Sequence, residues 1–558
     1  MQSDLLKNGQ VFPAGQTVNA ATYSHSSGYP EVEGGKHQPK KCNDVFWGIL
    51  FYAHVVTMIV LAATYAPQME FNFNQAGNNY NDDGNNYYNY NDDADDNAND
   101  NNNAGGNDDG NNNNDDDPYY RKLIDDSHQM SITHIAMGII TRTLVKVTTA
   151  AGVQATSLGD RFLEEEGNPN AVLLLVGLTI IGAFVLSILS LALMIRFADG
   201  LIKSSLFFNM SLGLITAAGG FMAGSIEAGI MGLVVFAIAA CYAWAVWSRI
   251  PFAATNLVTA STAVQANMGL TIFAYVAILV NGLWLVLWFS SAYSTLFILG
   301  GCDANGDCEN NLPGIYSFLF TLSLYWTAQV IKNVVHVTVA GTVGTWWWTP
   351  MEASGFCSKA VRESHNRAMT HSFGSICLGS LLVAIIQTIR TLLENARESD
   401  DGFMMCIADC ILGCLVTIME MFNEWAFVYV GLYGYGFVDA AKNVITLFKS
   451  RGWTAIITDY MVDRVLLMIS FGNGLIAGGF AAAISYMFSL NLEGVAFFVG
   501  FFVGMLLSTV VLSVVGSGVN TVIVCYAEDP ATFEINHYSL SMRMRDAWRS
   551  AFPNDFTY

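Results

Sequence analysis

The chain has 558 residues, 53% of them hydrophobic, and a mean hydropathy of +0.38, which places it among integral membrane proteins before any motif is read. Its formal charge of −21 is unevenly spread: thirteen acidic residues and no Lys or Arg lie between Glu70 and Asp117, leaving about −8 for the rest. No basic patch or recognition motif supports nucleic-acid binding. No P-loop, zincin, dinucleotide or nucleophile-elbow signature occurs, and the cytosolic loops are short, so an ATP-driven pump or an enzyme is not expected, nor is a cofactor or metal.

Residues 1–44 are polar and read as a cytosolic tail, so the first apolar run, 45–66, is expected to be an uncleaved transmembrane helix. Residues 67–170 form a long loop. Its tract 72–117 is almost entirely Asn, Asp, Gly and Tyr, which cannot bury enough apolar surface to fold. A bundle of nine further helices is expected over 171–516, from runs at 171–195, 204–223, 227–247, 268–292, 314–345, 372–393, 403–421, 463–488 and 494–516. The fold class is therefore all-α, a polytopic membrane protein of about ten helices. Residues 517–558 complete it as a second cytosolic tail.

Ten spans put both termini on one side, and charge names the side. Lys40, Lys41, Arg196, Lys203, Arg249, Lys359, Arg362, Arg367, Lys442 and Arg451 become cytosolic when the N-terminus is inside. Outside the long first loop, only Arg397 then falls on the opposite face. The expected location is the cell membrane, with both termini cytosolic. In that topology Cys302 and Cys308 share a short extracellular loop, where they are expected to close a small disulfide rather than remain two thiols. Cys406, Cys410 and Cys414 recur at i, i+4 and read as packing residues rather than metal ligands.

The sixth run carries unusual polarity. At 100° per residue Trp326, Gln329, Asn333 and His336 fall within roughly 80° of one another, so they share a face. Such a face must look into protein or a wet cavity, because an unsatisfied polar group in hydrocarbon costs several kcal/mol. It either lines a pathway or supplies interhelical hydrogen bonds. In the seventh run Gln387, Arg390 and Glu394 recur at i, i+3, i+7, and in the eighth Asp409 and Glu420 share a face. The segment 425–448 reads as a broken or interfacial helix bearing Tyr429, Tyr433 and Tyr435. Gly220/Gly224, Gly474/Gly478 and Gly500/Gly504 are G-x-x-x-G pairs suited to close helix approach.

Four ordered motifs carry a resemblance: YWTAQVIKNVVHVTVAGTVGTWWW, HSFGSICLGSLLVAIIQTIRTLLE, FNEWAFVYVGLYGYGFVDAAKNVITL and CYAEDP, with RIPFAATNLV at 249–258 also fitting. Over about 196–530 the chain resembles the choline transporter-like family, solute carrier family 44. The resemblance implies ten helices, cytosolic termini, a large first extracellular loop and, for some members, choline transport. Animal members have a folded, glycosylated first loop, whereas this loop lacks an N-x-S/T sequon, so the chain is more similar to the fungal and protist branch.

The function expected is a carrier moving choline or a similar organic cation down its electrochemical gradient by alternating access. A quaternary ammonium donates no hydrogen bonds, so aromatic faces with a nearby carboxylate suit it. The candidate substrate-binding residues are Trp326, with Tyr325 and Tyr433 as walls, Gln329 and Asn333 for the hydroxyl, and Glu420 for charge. His336 is either a proton-coupling group or a neutral core histidine. The expected partners are the cation and the lipid bilayer, the oligomeric state being open. The alternatives are a non-transporting scaffold or lipid-interacting protein, and a passive channel. The topology is checked directly: a tag within 72–117 should be labelled in intact cells and a C-terminal tag should not, and the reverse pattern refutes the orientation.

Overall fold

The computed structural model describes residues 41–83, 169–300, 314–396, 402–451, 461–488 and 493–552. These are helical throughout, with no strand among them. Cys302, Cys308 and the Asn/Asp tract beyond residue 83 lie outside the described residues. In chain order the helices are α1 Val45–Asp83, α2 Pro169–Met222, α3 Ile226–Val246, α4 Ile250–Ala266, α5 Gly269–Gly300, α6 Gly314–Trp348 and α7 Lys359–Met369. They continue as α8 Phe373–Ala396, α9 Gly402–Tyr433, α10 Phe437–Arg451, α11 Met461–Met487, α12 Glu493–Glu528, α13 Pro530–Asn536 and α14 Tyr538–Ala551.

Among the described residues nine helices are long and apolar enough to cross a membrane, one fewer than the expected runs. The difference lies in α2, which joins runs 171–195 and 204–223 into one element. Its apolar stretch Leu174–Met222 would extend about 74 Å, more than twice a hydrocarbon core of about 30 Å. The helix breaks its geometry at Phe197 (φ −126°, ψ 23°), beside Arg196, Asp199 and Lys203. Lys203 and Asp199 pair at 2.6 Å with both side chains exposed, as expected where two crossings meet water. The segment between those two runs is thus a kinked, charged stretch of a single helix.

A second difference concerns 425–448, read as a broken or interfacial helix: it is broken, with 425–433 continuing α9 and residues 426–430 and 432 buried. The break falls at Gly434, whose φ of +66° favours glycine, and α10 follows. A third concerns Gly224. It is not a packing glycine but the turn between α2 and α3, at φ +78°, with Ser225 capping α3 through the Ala228 N–H at 3.3 Å. Gly220 does pack as expected, against the backbone of Gly229.

Contacts gather several helix ends on one face. The Asp44 carboxylate accepts from Ser375 Oγ (2.7 Å) in the first turn of α8 and from the Phe437 N–H (2.9 Å) that opens α10. Asn43 Nδ2 donates to Gly434 O (2.7 Å) at the end of α9. One anion therefore serves two helix N-termini, where dipoles favour it. On the same face Tyr429 near the end of α9 donates to Glu528 at the end of α12. Trp347 and Trp348 at the end of α6 donate their indole N–H groups to Asp529 O (3.0 Å) and Oδ2 (3.2 Å).

The post-membrane helices seal that face. Asn536 Nδ2 donates to both Trp347 O and Trp348 O at 2.9 Å, satisfying carbonyls that a helix end leaves orphaned. Phe533 stacks on Trp347 at 3.9 Å and His537 on Trp346 at 3.9 Å. Helix α4, not anticipated as an element, is buried along most of its length and packs against α2, α12 and α14. Trp548 of α14 donates to Asn256 Oδ1 of α4 at 3.1 Å.

Two measurements check this packing. A Cβ on Gly478 would lie 2.7 Å from Phe497 O and one on Gly500 2.7 Å from Ala481 Cβ, whereas the neighbouring Gly479 has open space. Gly478→Leu and Gly500→Leu should each cost roughly 1–3 kcal/mol or more and lower the melting temperature, with Gly479→Leu near neutral. Burial pushes His537 and His365 below the usual 6.5. Each therefore contributes stability above the unfolded-state value, and that stability is lost as pH falls below it toward the lowered folded value. Amide protection factors over 530–551, corrected for the intrinsic slowing of exchange in acid, should fall between about pH 7 and pH 5, and His537→Phe should weaken that dependence.

Candidate functional site

The polar face of α6 looks into protein, toward α8, α9 and α12, and its side chains form a ladder of hydrogen bonds. At the first rung Trp326 is buried, and its indole N–H donates to Cys377 O at 3.0 Å. His54 of α1 stacks on the ring at 5.1 Å and Phe51 meets it edge-on at 5.3 Å. A carbonyl only accepts, so His54 Nδ1–H donates to Phe51 O (3.1 Å) and Nε2 accepts from the Ser323 hydroxyl (2.9 Å). Tyr325 shares a hydrogen bond with Thr391 of α8 at 2.8 Å.

The second rung joins three helices. Gln329 Nε2 donates to Gln387 Oε1 (3.3 Å), and Gln387 Nε2 donates to Glu420 Oε1 (2.8 Å). All three side chains are only half-buried. Among the described residues no Lys or Arg pairs with Glu420, so its carboxylate keeps acceptor capacity. A third rung ties Asn333 Nδ2 to Ser380 Oγ (2.9 Å), with Asn423 Nδ2 donating to Gly379 O (2.7 Å).

The fourth rung is more strongly tied. Glu424 lies 3.8 Å from Lys332 and accepts from Asn520 Nδ2 at 3.2 Å. His336 donates from Nε2 to Glu424 O (3.0 Å) and accepts at Nδ1 from the Ser517 hydroxyl (2.7 Å). Both ring nitrogens are thus engaged within the protein.

Trp326, Gln329, Asn333, Glu420 and Tyr325 are therefore brought to one seam, with Gln387 as the bridge. Tyr433 is not. A Cβ on Gly344 would meet Leu432, so Tyr433 sits near the level of Gly344, about 27 Å along α6 from Trp326. It clusters instead with Tyr429 (5.1 Å) and Tyr435 (5.8 Å) beside Glu528. It cannot wall the same pocket as Trp326. His54 escaped the sequence reading, although a lone histidine in an apolar first span was its signal.

Arg390 lies on the α9 side of its helix. Its guanidinium lies 3.7–3.8 Å from where a Cβ on Gly413 would sit, so it faces α9. The side chains of Glu394 and Asp409 fall outside the described residues.

Chemically the seam offers one accessible carboxylate, two carboxamides in series and flanking aromatic rings. That set suits an organic cation with a hydroxyl, and it lacks any grouping of His, Cys, Asp and Glu that would hold a metal among the described residues.

Comparison with known proteins identifies the family. A family described as "Plasma-membrane choline transporter" matches residues 230–531, more than half of the chain. The chain is 31% identical over 450 residues to Protein PNS1 of Debaryomyces hansenii, covering 75% of this chain and 83% of that protein. It is 33% identical over 339 residues to a CTL-like protein of Dictyostelium discoideum, covering 60% of this chain and 59% of that protein. To Protein PNS1 of Saccharomyces cerevisiae it is 29% identical over 412 residues, covering 69% and 75%. A multi-pass all-α membrane protein with a matched family domain and relatives in fungi and an amoeba, this chain belongs to the choline transporter-like family.

Proposed function

We propose that the protein is a facilitative carrier for choline or a similar organic cation, working by alternating access, with its termini cytosolic. The observation that carries this reading is the Gln329–Gln387–Glu420 chain, which links α6, α8 and α9 and ends on a carboxylate with no Lys or Arg paired to it among the described residues. Glu420 supplies charge, Gln329 and Asn333 orient the hydroxyl, and Trp326 and Tyr325 form the wall. A membrane potential suffices as driving force: a monovalent cation gains about 2.3 kcal/mol per 100 mV, which supports accumulation on the order of fortyfold.

Neutral His336 is a structural member of this seam in our reading, and proton coupling is not needed. Hinge points are available for the rocking motion, at Phe197 in α2 and Gly434 after α9. A scaffold role has its own support, because every rung satisfies itself within the bundle and Trp326 is already stacked. The two readings predict different fluxes.

In proteoliposomes the wild-type chain should move choline with saturable kinetics; a linear dependence indicates a channel and no flux a scaffold. Glu420→Gln should weaken choline and its hydroxyl-free analogue alike, by loss of charge. Gln329→Ala should weaken choline more than the analogue, because only the hydroxyl needs the amide. Trp326→Ala should raise the half-saturating concentration roughly 2- to 30-fold. Normal transport by Glu420→Gln and Trp326→Ala would move the site away from this seam.

A further inference from the structure

Helix α6 has a second polar face. At 100° per residue Phe320, Ser323 and Thr327 line up on it, and it looks toward α1 and α5: Phe320 O accepts from the Trp288 indole N–H of α5 at 2.8 Å, and Ser323 meets His54 of α1 at 2.9 Å. Trp326 lies between this face and the one that carries Gln329. From the α1 side its ring is covered by His54, stacked at 5.1 Å, and His54 in turn meets Trp284 of α5 at 5.6 Å.

Helix α5 turns a matching face to this seam. Asn281, Trp284, Trp288, Ser291 and Thr295 fall within about 80° of one another, over about 21 Å of helix. Ser291 Oγ touches Met58 Sδ of α1 at 3.8 Å. Four polar groups along the seam have no partner among the described residues: the Trp284 indole N–H, the Thr295 and Thr327 hydroxyls and Asn281 Oδ1. Trp284, Thr295 and Thr327 are only 5%, 3% and 4% exposed. Unmatched groups at membrane depth are costly. A seam that only held helices together would do better with Phe at 284 and Val at 295 and 327, which fill similar volume without that cost.

The way α1 is held is equally uneven. Its start is anchored by Asn43 on Gly434 and by Asp44 on Ser375 and the Phe437 N–H. Met58 lies about 21 Å further along, where α1 meets α5 and α6 through a small apolar cluster of Met58, Trp284, Ala292 and Phe320 and the hydroxyl–sulfur contact. No Asp, Glu, Lys or Arg occurs in α1 between residues 45 and 67, anywhere in α5, or in α6 before Lys332. The seam is therefore uncharged, rich in indole and imidazole rings, and studded with unmatched hydrogen-bonding groups.

We propose that the α1/α5/α6 seam is the route by which an organic cation reaches Trp326 from the face opposite α13 and α14, closed in this structure by the His54–Trp326 stack. To open it, α1 tilts about its Asp44 anchor, His54 leaves the Trp326 ring, and the Met58–Ser291 contact parts. Trp284, Trp288 and the uncovered Trp326 then offer π surfaces to the passing cation. Asn281, Thr295 and Thr327 meet water or the solute's hydroxyl, so opening recovers what closing forfeits. With no carboxylate along the way, nothing on the route holds the cation as Glu420 does. The proposal rests on the carrier reading and gives it one of the two access routes that alternating access requires.

The test uses the full chain in oriented vesicles. In the double variant Met58→Cys/Ser291→Cys, bridging the two thiols with mercuric ion should lower choline flux at least about tenfold and excess dithiothreitol should restore it, with each single variant within about twofold of wild type. Undiminished flux through the bridged pair overturns the proposal. Access is read separately, on Thr295→Cys, with the quaternary ammonium reagent trimethylammonioethyl methanethiosulfonate added from each face in turn. Labelling should occur from the face opposite α13 and α14, at least about fivefold faster than the wild-type background, and choline should change its rate. Labelling from the other face alone, or from neither, makes the seam a static contact and overturns the proposal, whether or not the cysteine pair folds. Wild-type protein without saturable flux sinks the carrier reading and this route with it, whereas normal wild-type flux with an unlabelled Thr295→Cys sinks the route alone.

Discussion

Every polar group placed at membrane depth must find a partner within the protein, because hydrocarbon offers none. In this bundle that constraint is concentrated on one face of α6. Gln329 and Asn333 reach α8, Lys332 reaches α9 and His336 reaches α12, and together they fix how these three helices sit around it. Apolar packing alone would allow these helices to slide or rotate, since lipid is as apolar as their side chains. The ladder removes that freedom, and small residues finish the work where backbones meet, as at Gly341 and Gly431.

The rungs are not equivalent. Those near the α12 end have more partners: Glu424 meets Lys332 and Asn520 through its carboxylate, while its backbone carbonyl accepts from His336. The Glu420 rung is loose by comparison, with a single amide donor and half-buried side chains. The face bearing Trp346–Trp348 is closed by α13 and α14, whose contacts to Asp529, Asn536 and His537 satisfy the end of α6.

This arrangement explains why two stretches far apart in the chain both stand out. The triple tryptophan ending α6 and the Glu528–Asp529–Pro530 segment ending α12 are two halves of one contact. Neither has an evident purpose alone. Asp44 plays the same part for α1, α8 and α10, and it explains how a helix that begins the described chain is registered against helices more than 300 residues later.

Much of this was legible from composition and periodicity. Spans are dictated by local hydrophobicity, so the long helices followed from runs of about twenty apolar residues, and the 3.6-residue period placed Trp326, Gln329, Asn333 and His336 on one face. Hydropathy could not tell whether Arg196–Lys203 is a loop or a kinked helix, since a charged helix and a charged loop share a composition. Nor could it see that α9 runs on to Tyr433, because burial by neighbouring helices, rather than lipid, pays for its tyrosines and glycines. The partners were beyond any one-dimensional pattern. That Glu420 meets Gln329 through Gln387, that Tyr433 belongs with Glu528 rather than Trp326, and that His54 of α1 stacks on Trp326 are facts of distance between separate helices, which only the tertiary packing decides.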